Sequence, residues 1–276
     1  RGLSGSSFAL TTNALAYLVT PPSASTISVI YQGFGRDGAP RPPGQGNNSF
    51  ELVRTMPTIP VGTVRVAADG KMLWIQQEAA GEKSVIVQGP GPNRRHEGGP
   101  GTGNDDEEYS GFRGGNGTGF ESADLAPDGS VAVASVRYGG QTVNLHIYEM
   151  NPGTVLGGRS VGFTPPFPQN ALSPEILKIA IDGSDGRHAR QLAVLGRYTD
   201  GPSNQDLYLF WNLKSGPDGM LGTGDDTSQT FTVQAYLLPG GDWVNTFEFR
   251  NNVVVLTGVL NYVSPAGGAY TARFCP

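Results

Sequence analysis

The sequence LAPDGSVAVASV, Leu125 to Val136, joins a tight turn directly to an apolar strand. Its Pro127-Asp128-Gly129 step favours a turn, because proline presets one backbone angle and glycine accepts a positive φ. The run that follows is apolar and rich in valine, as expected of a β-strand. A second copy of this unit reads VAADGKMLWIQQ, Val66 to Gln77, with its turn at Asp69-Gly70.

The unit recurs five times along the 276 residues. Weaker copies of the turn lie at Asn13, at Asp185-Gly186 and at Asn251, so that consecutive turns are 56 to 66 residues apart. A repeat of this length made of short strands indicates that similar sheets follow one another along the chain. We therefore predict a single domain, residues 1–276, whose repeats cover approximately residues 1–56, 57–115, 116–170, 171–238 and 239–276.

Each repeat is predicted to hold about four antiparallel strands: one before the turn, two after it, and one after a long loop. The second strand after the turn is the most regular, because it alternates apolar and polar residues and is rich in aromatic and β-branched types. Its copies are ISVIYQG from Ile27, SVIVQG from Ser84, LHIYEM from Leu145, LYLFWNLK from Leu207 and AYTARF from Ala269. Glycine and proline, 41 and 21 residues respectively, cluster between these strands, so the pattern predicts no helix.

Four strands per unit, repeated around an axis, is the plan of a β-propeller. The turns Ala126-Pro127-Asp128-Gly129 and Ala67-Ala68-Asp69-Gly70 resemble the Ser-Pro-Asp-Gly type turn that joins the inner strands of TolB-like and WD40-like propellers. The resemblance implies an all-β propeller of about five four-stranded blades. The last repeat has about 25 residues after Asn251, too few for its final strand. We expect the segment Arg1 to Ser6 to close the ring. A cut ring of six or seven blades and a pair of β-sandwiches are the alternatives.

Composition restricts the partners and the location. The net charge of −5 gives no basic surface for a nucleic acid, and no run of about 18 apolar residues predicts a membrane-spanning segment. The single cysteine, Cys275, excludes an internal disulfide. The chain begins at Arg1 rather than methionine, which a processed piece of a longer exported protein explains, as does an arbitrary boundary. We expect a secreted or cell-surface protein.

The loop Gly216 to Asp226, GPDGMLGTGDD, is the sharpest local motif. It resembles the GPDGxxGTxDD hairpin found repeatedly in large exported bacterial surface proteins. Glycine-rich backbone lets side-chain and carbonyl oxygens converge on a hard cation, so Asp218, Asp225 and Asp226 are the candidate ligands of calcium. The alternative is that these acids only cap and solvate turns.

A related motif, GPGTGNDDEE, precedes the last strand of the second repeat. We interpret its acidic residues, Asp105 to Glu108, as a solvated run that lies near enough to pair with Arg94, Arg95 and His96.

Three functions are compatible with the sequence. The first is a non-enzymatic extracellular or cell-surface module that binds a protein or glycan or takes part in a homo- or hetero-assembly. It is favoured because no nucleophile elbow and no metal spacing of histidines is present. The second is a propeller-type glycoside hydrolase, or another carbohydrate-active enzyme, with two carboxylates facing each other across a funnel. Its candidate carboxylates are Glu121, Asp124, Glu175 and Glu248. The third is a fragment or filament protomer of a giant exported chain.

Overall fold

The structure, a computed structural model, describes residues 8–10, 14–19, 26–41, 49–55, 59–77, 83–93, 96, 105–113, 119–138, 142–152, 154–182, 190–235, 243–250, 253–263 and 269–274. These residues form 19 β-strands, and no helix occurs among them. The prediction of an all-β chain made of antiparallel strands is therefore confirmed. None of the described residues lies in a helix long and apolar enough to cross a membrane.

The first sixteen strands fall into four groups of four, which we call the first to fourth sheets, and within each group neighbours in sequence are hydrogen-bonded neighbours. The first sheet contains β1 (Phe8–Leu10), β2 (Ala14–Val19), β3 (Thr26–Gly33) and β4 (Ser49–Thr55). The second contains β5 (Ile59–Val66), β6 (Met72–Gln77), β7 (Lys83–Gly89) and β8 (Glu107–Arg113). The third contains β9 (Gly119–Leu125), β10 (Val131–Tyr138), β11 (Thr142–Glu149) and β12 (Arg159–Phe163). The fourth contains β13 (Ala171–Asp182), β14 (Gln191–Asp200), β15 (Gln205–Lys214) and β16 (Thr227–Ala235).

The fifth repeat contributes three described strands, β17 (Trp243–Arg250), β18 (Val253–Val263) and β19 (Ala269–Phe274). β18 lies between β17 and β19, and its end also pairs with β16, where Gln234 lies opposite Val263. The fourth and fifth repeats therefore share one seven-stranded sheet. The segment Arg1 to Ser6, expected to supply the missing strand, lies outside the described residues.

The Asp-Gly turns join the first and second strands of their sheets, as their residues require. In the third sheet, the amide of Gly129 donates to the carbonyl of Ala126 at 2.8 Å, and Asp128 Oδ1 accepts from the amide of Ser130 at 2.9 Å. Gly129 has a φ of 76°, a value that favours glycine over residues with a Cβ atom. The two strong turns also touch each other, because the amide of Ala68 donates to the carbonyl of Pro127 at 2.8 Å.

The core lies between consecutive sheets rather than inside any one of them. Successive side chains of a strand point to opposite faces, and in the second, third and fourth sheets each face packs against a different sheet. On β6, Met72 and Trp74 pack against the first sheet, whereas Leu73 and Ile75 pack against the third. The run is apolar throughout because both of its faces are buried.

Four apolar clusters result, one at each junction between consecutive repeats. The first joins Val29 and Tyr31 to Val64 and Trp74; the second joins Leu73 and Val87 to Ala132 and Tyr148; the third joins Val133 and Leu145 to Ile179 and Leu192; and the fourth joins Ala193 and Tyr208 to Phe247 and Leu260. Among the described residues, no cluster connects β17–β19 back to the first sheet, so a closed ring is not seen.

The burial of both faces predicts a large cost for truncating a side chain in a central strand. Leu73→Ala removes a side chain with no solvent exposure and should lower the free energy of unfolding by about 2–5 kcal/mol, measured by urea denaturation. Leu172→Ala is the matched control, because Leu172 is 52% exposed and its loss should change stability by no more than about 0.5 kcal/mol. Equal effects of the two substitutions would contradict this packing.

Candidate functional site

The loop predicted to bind calcium, Gly216 to Asp226, connects β15 to β16 and is folded by its own acidic residues. Asp218 Oδ1 accepts a hydrogen bond from the amide of Met220 at 2.8 Å, and the amide of Gly219 donates to the carbonyl of Gly216 at 3.1 Å. Gly219 and Gly222 have φ values of 70° and 76°. The glycines thus let the chain reverse twice within eleven residues.

The two consecutive carboxylates at the end of the loop also accept hydrogen bonds from within it. Asp226 Oδ2 accepts from the amides of Gly222 and Thr223 at 2.6 and 3.2 Å, and Asp225 Oδ1 accepts from the hydroxyl of Thr223 at 2.6 Å. The Thr223 hydroxyl lowers the pKa of Asp225, because it stabilises the charged form. The predicted ligands therefore already act as turn acceptors.

Calcium binding by Asp218, Asp225 and Asp226 stays a prediction. In the part of the chain that the structure describes, no three side chains of histidine, cysteine, aspartate or glutamate are grouped as metal ligands. A calcium ion at this loop would have to draw on carbonyl oxygens and water as well as carboxylates, as calcium sites commonly do.

The same loop contacts the third sheet through Leu221, which is wholly buried in the cluster between the third and fourth sheets. The amide of Leu221 donates to Glu149 Oε1 at 3.4 Å, and its carbonyl accepts from Arg159 Nη2 at 3.2 Å. Both partners belong to the third sheet. The loop therefore fastens one sheet to the preceding one, a role that the sequence analysis did not assign to it.

Glu149 lies between two arginines at the junction of the third and fourth sheets. Its carboxylate lies 3.6 Å from Arg159 and 3.5 Å from Arg190, which precedes β14 of the fourth sheet. Arg190 also donates to the hydroxyl of Ser130 at 3.0 Å. Glu149 and Arg190 are largely shielded from water, so their attraction is screened less than that of exposed ion pairs, whereas Arg159 is 38% exposed.

One junction earlier, the loop between β11 and β12 fastens the third sheet to the second in the same way. Val155 is wholly buried, and its amide and that of Leu156 donate to Glu107 Oε2, the second at 2.9 Å. The hydroxyl of Tyr148 donates to the carbonyl of Val155 at 2.7 Å. Like Leu221, Val155 is an apolar residue inside a glycine-rich loop, and its amide is bound by a glutamate of the preceding sheet.

This arrangement corrects the interpretation of Asp105 to Glu108 as a solvated acidic run. Asp106 is 7% exposed, and Glu107 holds two backbone amides of the third sheet. The run is acidic because those amides and the neighbouring polar groups need acceptors. Of the three basic residues expected near it, Arg94 and Arg95 lie outside the described residues.

His96 is the third basic residue, and it occupies the loop between β7 and β8. Its ring is buried against Tyr31 of the first sheet, with ring centres 4.4 Å apart, and its Nδ1 lies 3.9 Å from Asp106 Oδ2. Its Nε2 donates to the carbonyl of Gly70 at 2.7 Å, since a carbonyl only accepts. Three successive loops thus place one side chain, His96, Val155 or Leu221, against the preceding sheet.

The first strands of the sheets are linked by a second set of polar contacts. Arg65 Nε on β5 donates to Asp124 Oδ1 on β9 at 2.6 Å, and Asp124 Oδ2 accepts from the amide of Ile181 on β13 at 3.0 Å. The hydroxyl oxygen of Ser122 likewise accepts from the amide of Ile179 at 3.1 Å. Burial raises the pKa of Asp124, while Arg65 and the Ile181 amide act in the opposite direction. One carboxylate therefore connects three consecutive sheets.

The other carboxylates considered for glycoside hydrolysis are dispersed over several strands. Glu175 on β13 is paired with Arg197 on β14, and Glu248 is half-buried on β17. Glu121 lies on β9, next to Ser122, and its side chain is outside the described part. Asp124 is engaged by Arg65, so Asp124 and Glu175 each have an arginine partner.

Calcium binding is tested by thermal unfolding of the chain in millimolar calcium and in excess EDTA. A calcium concentration a hundredfold above the dissociation constant should stabilise the folded state by about 2.7 kcal/mol. The double substitution Asp225→Ala with Asp226→Ala should abolish the shift between the two conditions. Asp200→Ala is the control, because Asp200 also accepts loop hydrogen bonds, from Ser203 and Asn170, outside this loop. A shift that persists in the double variant would place calcium elsewhere.

The burial of His96 predicts a loss of stability in mild acid. Burial lowers the pKa of His96 below its ordinary value of 6.5, against the opposing effects of the Gly70 carbonyl, Asp106 and Asp69. The unfolded chain then binds more protons than the folded one below pH 6.5, so stability is full above that pH and falls as the pH is lowered. Urea unfolding from about pH 8 to about pH 5 should show this fall.

His96→Gln should flatten that pH dependence, while His146→Gln should change it less, because His146 is only half-buried. An equally steep loss of stability in the His96→Gln protein would show that other groups cause it.

No family model matches the chain, and no curated protein matches it. Among solved structures, the chain is similar to the apo form of prolyl oligopeptidase B from Galerina marginata, with 12% identical residues and a TM-score of 0.47. The match covers 96% of this chain and 34% of that chain, so this chain spans about a third of that protein's length. A likeness at this level carries no argument about fold or function.

Proposed function

We propose that the chain is a non-enzymatic module that binds a partner or takes part in an assembly outside the cell or at the cell surface. One observation supports this proposal: the shielded carboxylates of the chain bind groups on a neighbouring sheet and so hold adjacent sheets together. Glu107, Asp124 and Glu149 each bind amides or arginines of a neighbouring sheet. Acidic groups engaged in this way make a scaffold that holds its loops in place, as a binding module needs.

We further propose that the five groups of strands are the blades of a β-propeller. Support comes from their order: each group packs face to face with the next, and their first strands, β1, β5, β9, β13 and β17, each contact the following one. This succession is what radial repetition of four-stranded sheets produces. Closure would need a fourth strand for the fifth blade, for which Arg1 to Ser6 is the proposed source.

The long glycine-rich loops are the proposed contact surface for a protein or glycan. A partner would be held mainly by backbone groups and polar side chains, because large apolar residues are scarce in these loops. Calcium at Asp218, Asp225 and Asp226 would act by reducing the freedom that the loop between β15 and β16 loses on binding.

The second candidate is a glycoside hydrolase, which one observation favours. Glu175 and Glu248 lie on β13 and β17, and these two first strands contact each other. In a propeller such strands line the central funnel, where paired carboxylates act on the glycosidic bond.

One experiment separates the two functions. The chain is incubated with a panel of polysaccharides, and both retention on the immobilised polysaccharide and release of reducing ends are measured. The proposed module should show saturable retention, or self-association in solution, without release of reducing ends. Release that disappears in both Glu175→Gln and Glu248→Gln, with Asp206→Asn as an unaffected control, would instead identify the hydrolase. If the chain shows no retention, no self-association and no release of reducing ends, both proposed functions are overturned.

A further inference from the structure

β16 differs from the other outer strands in its sequence and in its exposure. It pairs with β15 along its whole length, but on the other edge only Gln234 and Ala235 face another described strand, β18. The backbone edge from Thr227 to Val233 therefore has no neighbouring strand among the described residues. Its first six side chains are all exposed.

Free sheet edges are normally protected by charge, proline or shortness, since an unprotected edge pairs with other strands. The outer strands β4, β8 and β12 follow this rule, because each contains glutamate or arginine. β16 reads TSQTFTVQA, which has no charged residue, no proline and no glycine, and it is the longest of the four. An edge without protection is expected where pairing is the function.

The centre of β16 is symmetric, because Thr230 and Thr232 flank Phe231, and this Thr-Phe-Thr segment indicates the partner. An antiparallel pair of two such strands, related by a two-fold axis at Phe231, sets Thr230 opposite the partner's Thr232 and Phe231 opposite the partner's Phe231. Cross-strand threonine and aromatic pairs stabilise antiparallel sheets. The arrangement is self-complementary, as a two-fold symmetric interface must be.

The packing of Phe231 supports the same axis. This side chain is 59% exposed and stacks on Phe210, the residue opposite it on β15, with ring centres 4.6 Å apart and planes 6° from parallel. Across the two-fold axis the row of rings would continue through the partner's Phe231 to the partner's Phe210. A large apolar side chain exposed in the monomer would thereby become buried.

We infer that two copies of this chain associate through antiparallel pairing of their β16 edges around Phe231. The inference names a second copy as one partner for the proposed assembly role and in that sense rests on it. With the axis at Phe231, Thr227 and Ser228 would fall opposite Ala235 and Gln234, which already pair with β18, so the ladder between the copies covers residues 229–233. Five residues per copy form a small interface, so the dimer should be weak, with a dissociation constant in roughly the micromolar range.

Sedimentation equilibrium over about 1 to 500 µM protein tests the inference, in a Cys275→Ser background that excludes a disulfide dimer. The chain should show a reversible monomer–dimer equilibrium. Thr230→Lys introduces a charge beside the axis and should raise the dissociation constant at least about tenfold. Ser160→Lys, at an exposed position of the charged outer strand β12, should leave it unchanged. Far-UV circular dichroism checks that both variants are folded.

Cross-linking tests the register. In the same background, Thr232→Cys should give a dimer with a short thiol-specific cross-linker, because it keeps Phe231 and its two copies are diagonal neighbours across the axis, about 7–8 Å apart. Thr227→Cys should not, because four residues on either side of the axis separate its two copies by about 27 Å. A monomer throughout, a dimer that Thr230→Lys leaves intact, or equal cross-linking at both positions would overturn the inference.

These outcomes are independent of those for the proposed function. A strictly monomeric chain that is retained by a polysaccharide would overturn the dimer alone. A dimer that releases reducing ends would overturn the proposed function alone.

Discussion

Alternation along each central strand sends successive side chains to opposite faces, and in the second, third and fourth sheets both faces are covered by another sheet. The free energy of folding therefore resides mostly in the junctions between repeats. A single four-stranded unit has too few apolar neighbours of its own to be stable, so each repeat depends on the ones beside it. That dependence explains why so many polar contacts of this protein run from one sheet to the next.

The polar contacts between sheets satisfy backbone groups that become buried when the sheets stack. Loops that cross from one sheet to another carry backbone amides into places where water is excluded, and each such amide needs an acceptor. Glu107 and Glu149 supply acceptors at two junctions, and Asp124 does so along the first strands. The residue whose amide is bound, Val155 or Leu221, also places its apolar side chain in the space between the sheets. Charge and packing thus act at the same points of the chain.

Much of this fold is predictable from local sequence, and the contacts at the junctions are not. The strand class follows from alternation and turn residues, and β19 has the bounds expected of AYTARF, Ala269 to Phe274. β8 and β12 were not identified individually, because EEYSGFR and RSVGF lack an apolar alternation strong enough to stand out from the loops. The partners of Glu149 lie on two different sheets, and the spacing of these residues along the chain does not predict that they meet. The one sequence signal for such a contact is a single apolar residue within a glycine-rich loop, such as Leu221, which packs against the preceding sheet.

The pairing of β18 with β16 has a consequence for how the molecule opens. The first three sheets meet through side chains and single hydrogen bonds, which separate without breaking any ladder of backbone hydrogen bonds. The last two repeats instead share one ladder, from β13 to β19. Their amides should exchange with solvent deuterium as a single cooperative unit, whereas each of the first three sheets has its own ladder and should exchange at its own rate. The protein is thus built of five similar repeats but of only four units of cooperative opening.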